Sequence, residues 1–301
     1  ENHIIVSETS MKSVERIDAR ALTPQTFASR YCSGEGQPVV LTGAFKGLPT
    51  CSPEWLVDLL PNAPFPARLY GKDHFRQAKS TWTTYADTLE LTPSTYAQML
   101  ADRSAHDQNV YMAQVPVRDT ALADIIRPYI DVMGGHTGLK AAIDLNLWWG
   151  PGGHTEPLHF DSGDGTLVQL HGKKRAVLFP PSQSKNLYPF PIRRKGIAPW
   201  ISQVYIENPD FKRFPRLATA LPERMEVTLA PGEVLFIPAN WWHENSSLSD
   251  DYSCSINRFW KVSQLSRLFT NRITPAIYGL SMIALAIAGK KYRPPAANET
   301  S

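Results

Sequence analysis

Cysteine is scarce in this 301-residue chain. Cys32, Cys51 and Cys254 are all it has. An odd count at such wide spacing excludes the disulfide framework of a small secreted domain, and it excludes a cysteine zinc site. A reducing compartment is expected, the cytoplasm or, in a eukaryote, the nucleus. Runs of one charge sign are missing too. The 31 Lys and Arg are interspersed with 28 Asp and Glu, for a formal net charge of +3. That excludes a polybasic nucleic-acid arm and leaves a weakly basic surface compatible with RNA or an acidic peptide. The opening ENHIIVSETS lacks the basic start and apolar core of a secretory leader. No internal repeat is visible. Long apolar runs are absent save one, ITPAIYGLSMIALAIAG at 273–289, which Pro275 and Gly279 interrupt. It sits at the lower edge of membrane-span length and reads as a buried or subunit-interface helix, so no transmembrane span is expected.

What is present is ordinary globular composition, 43% hydrophobic and 20% charged, on a length that suits one large β-rich domain with additions or two modest domains. Three segments begin with a hydroxyl residue followed by proline: Thr23-Pro24, Ser52-Pro53 and Thr92-Pro93. Each predicts a helix start, with the hydroxyl as cap and proline in the first turn. Strand-like pieces lie between them at 38–42 and 67–71. From about residue 109 short β segments take over, at 110–115, 142–149, 166–172, 174–180, 226–230, 232–238 and 253–260. The expected layout is a mixed α/β region at 1–108, a β core at 109–261 with an insertion at 181–225, and a helical region at 262–301. Many short strands with helices at both ends suggest a small barrel or sandwich.

The stretch GPGGHTEPLHFDSGDG (150–165) contains His159 and Asp161. Residues i and i+2 of an extended segment point to one side, so these two can reach a common point. Alone they are as readily two polar residues on a strand edge. His243, in FIPANWWHEN (236–245), follows a proline-ended strand and two tryptophans and is the candidate third ligand. Two histidines and a carboxylate with open positions left over form the facial triad of non-haem Fe(II) oxygenases. Lys174 opens the apolar strand KRAVLF and shares a face with Ala176 and Leu178. If that face lines the barrel, Lys174 is a cation inside an apolar cavity, costly unless an anion meets it. If it lies at the strand mouth, it reaches solvent. Trp148, Trp149, Trp241 and Trp242 are candidates for cavity walls, with plain core packing as the alternative.

The segment NLWWGPGGHTEPLHFDSGDGTLVQLHGKKRAVLFPP (146–181), with PGEVLFIPANWWHENSS and SINRFWK, resembles the cupin-like JmjC family of Fe(II)/2-oxoglutarate oxygenases, whose members include factor inhibiting HIF and a tRNA wybutosine hydroxylase. The likeness covers roughly residues 36–262. It implies a mainly β fold, a double-stranded β-helix (jelly roll), with N-terminal α/β additions and C-terminal helices. It implies Fe(II) on His159, Asp161 and His243, with 2-oxoglutarate and O2 as cosubstrates. Lys174 would pair with the far carboxylate of 2-oxoglutarate, with Tyr111 as hydroxyl partner. The implied reaction couples decarboxylation to succinate and CO2 with hydroxylation of an unactivated C–H bond. Two positions depart from the family pattern. Glu156 stands three residues before the first iron histidine, where Ser or Thr is usual; Thr155 is the candidate to take that role. Gly165 stands where several relatives have Asn, and Asn257 is the candidate substitute. A protein or peptide side chain is the first-choice substrate. A modified tRNA base, a small natural product, or a metal-binding cupin without oxygenase chemistry are the alternatives. The insertion, with Arg193, Arg194 and Lys195, is the expected specificity element. The apolar stripe through 265–288 predicts a homodimer, because a helix apolar all round needs burial on every side.

Overall fold

The computed structural model describes residues 12–72, 87–191 and 199–270. The N-terminal part runs β1 (Lys12–Ser13), β2 (Glu15–Asp18), α1 (Pro24–Tyr31), β3 (Val39–Thr42), α2 (Pro53–Leu59), β4 (Phe65–Leu69), β5 (Asp87–Leu91), α3 (Pro93–Ala101) and α4 (Ser104–Gln108). The three hydroxyl-proline starts are the helix starts of α1, α2 and α3. Thr23, Ser52 and Thr92 each accept a hydrogen bond from the backbone N–H three residues on, with proline in the first turn. The chain continues through β6 (Val110–Pro116), α5 (Ala121–Thr137), β7 (Asn146–Pro151), β8 (Thr155–Phe160), β9 (Asp164–His171), β10 (Lys174–Phe179), α6 (Leu217–Ala220), β11 (Met225–Leu229), β12 (Val234–Ile237), β13 (Trp242–Ser247) and β14 (Tyr252–Trp260). A 3-10 turn at Leu265–Phe269 follows.

Two sheets face each other. The smaller has the order β1-β11-β10-β13-β8 and the larger β2-β3-β12-β9-β14-β7-β6-β4-β5. From β7 to β14 the chain alternates between them except at β10–β11, the pair joined by the long insertion. That is the jelly roll expected from the resemblance. The N-terminal strands extend both sheets at their edges: β1 pairs with β11, β2 and β3 continue beyond β12, and β4 and β5 continue beyond β6.

Three apolar layers follow from strand alternation. The helices bury Phe27, Leu56, Tyr96 and Ile126 against the outer face of the larger sheet, on Trp149, Val168, Phe236 and Ile256. Between the sheets, Val40, Leu167, Ala176, Leu178, Leu235 and Trp241 fill one end of the barrel. Outside the smaller sheet, insertion residues Leu187, Val204, Ile206, Phe214 and Leu217 cover Leu158, Phe160, Val177, Phe179 and Trp242. Each fully buried Leu, Ile or Phe side chain contributes about 1.5–3 kcal/mol relative to exposure.

The structure differs from the sequence reading at several points. Helix α5 was not anticipated, although Thr120 caps it and Gly138 ends it in the left-handed conformation, φ 71°. Strand β7 begins at Asn146 rather than 142, because Ala142 and Ile143 both donate to the carbonyl of Phe259 outside the ladder. His243 follows β12 and its proline as expected, and it also lies within a strand the sequence reading did not contain, β13. Of the four tryptophans, only Trp148 lines a cavity. Alternation turns Trp149 outward onto Tyr96, ring centroids 5.0 Å apart, and Trp242 outward onto Phe160 at 4.7 Å, while Trp241 joins the filled end of the barrel. Arg193, Arg194 and Lys195 lie outside the described residues, as does the apolar stripe beyond residue 270.

Candidate active site

The open end of the barrel is a cavity of about 530 Å³. His159, Asp161 and His243 meet on its wall, and they are the one group among the described residues whose ligand atoms all lie within 4.8 Å of one another. Strand pairing brings them together. β8 and β13 are antiparallel with His159 directly opposite His243, and the two rings lie 4.3 Å apart. Asp161 follows the end of β8. Its carbonyl accepts from Asn240 N–H at 2.7 Å, tying the two strand ends, and its Oδ2 lies 3.5 Å from His243 Nε2.

Both histidines are oriented from behind. His159 Nδ1 lies 2.7 Å from the Pro157 carbonyl and His243 Nδ1 lies 3.1 Å from the Trp241 carbonyl. A carbonyl can only accept, so each Nδ1 carries the proton and each Nε2 offers its lone pair. Burial, reinforced by the neighbouring His159, lowers His243 to about 4, so its Nε2 is unprotonated at neutral pH. The donor set of two imidazole nitrogens and one carboxylate fits a divalent transition metal with open positions toward the cavity.

Lys174 lines the same cavity and is buried, which answers the question its strand parity left open. Its Nζ donates to Ser255 Oγ at 2.5 Å, and Ser255 donates on to Gln169 Oε1 at 2.7 Å. No carboxylate lies within ion-pair distance of Lys174 among the described residues. Burial pulls it down from 10.5 to about 8. Tyr111 is buried on the cavity wall with its ring stacked 3.9 Å from that of His154. A Cβ on Gly150 would come within 1.8 Å of the Tyr111 ring, so glycine at 150 is what lets the ring lie against β7. Asn257 faces the cavity and accepts from Trp148 Nε1 at 2.8 Å.

Thr155 and Glu156 resolve in the opposite sense to the sequence expectation. His243 pairs with His159 but Asn245 pairs with Glu156, so β8 uses three steps where β13 uses two. This bulge inverts the alternation. Glu156 therefore shares the inward face with His159 and lines the cavity, while Thr155 lies off it and bonds Ser246 Oγ at 2.9 Å. The Glu156 carboxylate accepts from Arg68 Nη1 at 3.4 Å and Tyr70 hydroxyl at 3.3 Å, and lies 3.4 Å from His154 Nε2. Burial alone would raise Glu156; the bond from His154 and the charge of Arg68 outweigh it and hold the group at about 2. Arg68, Tyr70 and His154 carried no local signal in the sequence, because β4 reads as an ordinary strand. The insertion adds Trp200 and Ile201 to the wall. Its residues 200–202 run along the free edge of β8, with Phe160 N–H donating to the Trp200 carbonyl at 3.1 Å and Ser202 N–H to the Leu158 carbonyl at 2.9 Å.

The cupin-like domain family matches residues 24–265. Lysine-specific demethylase JMJ31 of Arabidopsis thaliana is 31% identical over 164 residues, 53% of this chain and 29% of that protein. Lysine-specific demethylase 8 of Xenopus tropicalis is 39% identical over 118 residues, 39% of this chain and 25% of that protein. HSPB1-associated protein 1 of Homo sapiens is 39% identical over 124 residues, 40% of this chain and 24% of that protein. The chain thus aligns with only about a quarter to three tenths of the length of these relatives. With the jelly roll, the paired histidines of β8 and β13 and a family match over most of its length, the chain belongs to the cupin-like JmjC family.

Proposed function

We propose that this protein is an Fe(II)- and 2-oxoglutarate-dependent oxygenase that hydroxylates a C–H bond of a protein or peptide side chain, consuming O2 and releasing succinate and CO2. One observation carries the reading. A single cavity holds a His/Asp/His group with both Nε2 atoms available and a buried lysine with no carboxylate on it. A ligand with a chelating 2-oxo acid at one end and a carboxylate at the other matches both features.

Bound at His159, Asp161 and His243, iron supplies O2 activation coupled to decarboxylation of the 2-oxo acid. The rest belongs to the chain. Pro157 and Trp241 carbonyls keep both imidazoles in the ligating tautomer. Lys174 and Tyr111 hold the far carboxylate of 2-oxoglutarate, and Asn257 offers an amide beside them. Thr155 takes no ligand contact in this reading. Trp148, Leu167, Ile237 and Phe259 on the wall exclude bulk water, which strengthens each charge contact inside.

Two of the relatives are named as lysine-specific demethylases. Demethylation is hydroxylation of an N-methyl C–H followed by loss of formaldehyde, so the same centre would serve both outcomes. The test is turnover of 2-oxoglutarate with Fe(II) against peptide libraries, read by mass spectrometry. A gain of 16 mass units marks hydroxylation and a loss of 14 marks demethylation. Absence of succinate under all substrates, with metal bound, overturns the oxygenase reading and leaves a metal-binding cupin. Product on tRNA alone moves the substrate class to a modified base.

A further inference from the structure

Glu156 poses a problem for any anionic ligand of this cavity. It stands on the inward face of β8. Its register partner Asn245 on β13 is in turn opposite Ala176 on β10, and Lys174 lies two residues along from Ala176 on the same face. An acid and a base thus share one wall with a single strand between them, roughly 12 Å of backbone spacing. Two long side chains can close that gap. A Glu156–Lys174 pair would cancel the charge that the far carboxylate of 2-oxoglutarate needs.

The pair does not form. Lys174 turns to Ser255. Glu156 turns the other way, to Arg68, Tyr70 and His154. The donors come from outside the eight strands of the jelly roll: Arg68 from β4, Tyr70 just beyond it and His154 from the turn before β8. Ring contacts brace the arrangement, with Tyr70 and His154 centroids 5.2 Å apart and Tyr111 stacked on the other neighbour, His154, at 3.9 Å. Tyr70 is a neutral donor, and burial lowers His154 while its Nδ1 lies 2.8 Å from Asn109 Oδ1, so among the described residues Arg68 is the standing cation beside Glu156. Among the described residues Arg68 balances Glu156 at that corner, and Lys174 remains a buried cation on the cavity wall with no carboxylate at ion-pair distance.

We propose that Arg68 is a positioning residue that holds the Glu156 carboxylate away from Lys174, and so determines whether the cavity accepts a dicarboxylate. The proposal rests on the 2-oxoglutarate reading. It predicts compensation between two residues 88 positions apart. Without Arg68, Glu156 swings toward Lys174 and competes with the ligand. Without Glu156 there is nothing to hold, and Arg68 adds its own attraction. Without either, Lys174 is again uncommitted.

The test is calorimetric titration of 2-oxoglutarate into the full chain loaded with Mn(II), which binds the triad without turnover. Arg68→Met is expected to weaken 2-oxoglutarate roughly ten- to hundredfold, the size of shift that one nearby opposite charge produces, with Mn(II) affinity unchanged. Glu156→Gln is expected to bind as tightly as wild type or more so. The double variant should return to within about threefold of wild type, the usual margin for a compensated pair. Binding of 2-oxobutyrate, which lacks the far carboxylate, should be the same in all four proteins. Arg68→Gln replaces Arg68→Met if the latter does not fold. Equal 2-oxoglutarate affinity in wild type and the Arg68 variant overturns the proposal. So does a double variant as weak as the single, which would make Arg68 a direct ligand contact. A wild type that binds Mn(II) but no 2-oxoglutarate removes the functional reading and this proposal together.

Discussion

His243 is buried, faces His159 across a strand pair and carries its lone pair inward. Replacing it with alanine removes one of three ligand atoms and leaves a small void near the open cavity, so the fold should persist. His243→Ala is expected to abolish Fe(II) binding, read as loss of the weak visible absorbance of the anaerobic Fe(II)–2-oxoglutarate complex, while the melting curve moves little. A mutant with wild-type absorbance would remove His243 from the metal site. Lys174 carries a pH signature as well. The titratable groups whose charge reaches it are Glu156 on β8, Cys254 on β14 and His154 before β8. Burial places it at about 8, so it is charged below that pH and loses its charge as pH rises through it. Anion binding requires the charged form. Cosubstrate affinity should therefore be flat below about pH 7 and fall by up to tenfold per pH unit above about pH 8. The unliganded fold responds in the opposite sense. The unfolded lysine keeps its proton up to about 10.5 and the folded one only to about 8, so stability rises with pH between those values. In Lys174→Met the pH dependence of affinity should vanish, and affinity itself should drop by about 3–5 kcal/mol, roughly two to four orders of magnitude. A mutant with unchanged cosubstrate affinity would place Lys174 outside the ligand site.

At the scale of elements, the metal wall depends on how β8 and β13 are tied at their ends. Asp164, at the start of β9, accepts from Ala239 N–H at 2.8 Å. It also forms a two-pronged pair with Arg267, at 2.7 and 2.9 Å, with both side chains fully buried. Asn240, in the left-handed region at φ 66°, holds the Asp161 carbonyl and donates through its side chain to the Arg267 carbonyl at 2.9 Å. The C-terminal turn is thereby clamped onto the loop after β8 that carries Asp161 and onto the turn that leads into β13 and His243. Arg267 lies just beyond the span that the family matches. Arg267→Met leaves a buried carboxylate without its partner and should cost about 3–5 kcal/mol, a drop in Tm of about 10 °C for a chain of this size. Metal affinity should fall with it. The double variant Arg267→Met/Asp164→Leu should regain much of the stability, because an apolar pair replaces a broken ionic one. Melting curves and Mn(II) titrations of the three proteins check this, and a single variant as stable as wild type would deny the clamp.

For the whole molecule, the apolar stripe through 265–288 remains the basis for expecting a homodimer. Phe269, within the described turn, is 45% exposed in the single chain. Light scattering on the full chain at tens of micromolar should report a dimer. A chain ending after Thr270 should be monomeric yet still bind metal, since it retains Arg267. A monomeric full chain would end the dimer reading, and co-sedimentation with liposomes would then point to membrane contact. Among the described residues no helix is long and apolar enough to cross a membrane.

Legibility tracked distance along the chain. The helix caps at Thr23, Ser52 and Thr92 involve neighbours three residues apart, and strand parity set Lys174 on the face of Ala176 and Leu178 without reference to anything remote. Those features follow from local chemistry and could be read directly. The triad was legible because its residue types are rare in combination and because i, i+2 alternation joins His159 to Asp161. Other features depended on register. The bulge that turns Glu156 inward and Thr155 outward exists only in the pairing of β8 with β13. The partners of buried charges are farther away still, 88 residues from Glu156 to Arg68 and 103 from Asp164 to Arg267. No local pattern encodes which cation meets which anion across such separations. Packing of the sheets settles it, because a buried charge is stable only where the assembled fold supplies a counter-charge or hydrogen-bond partners.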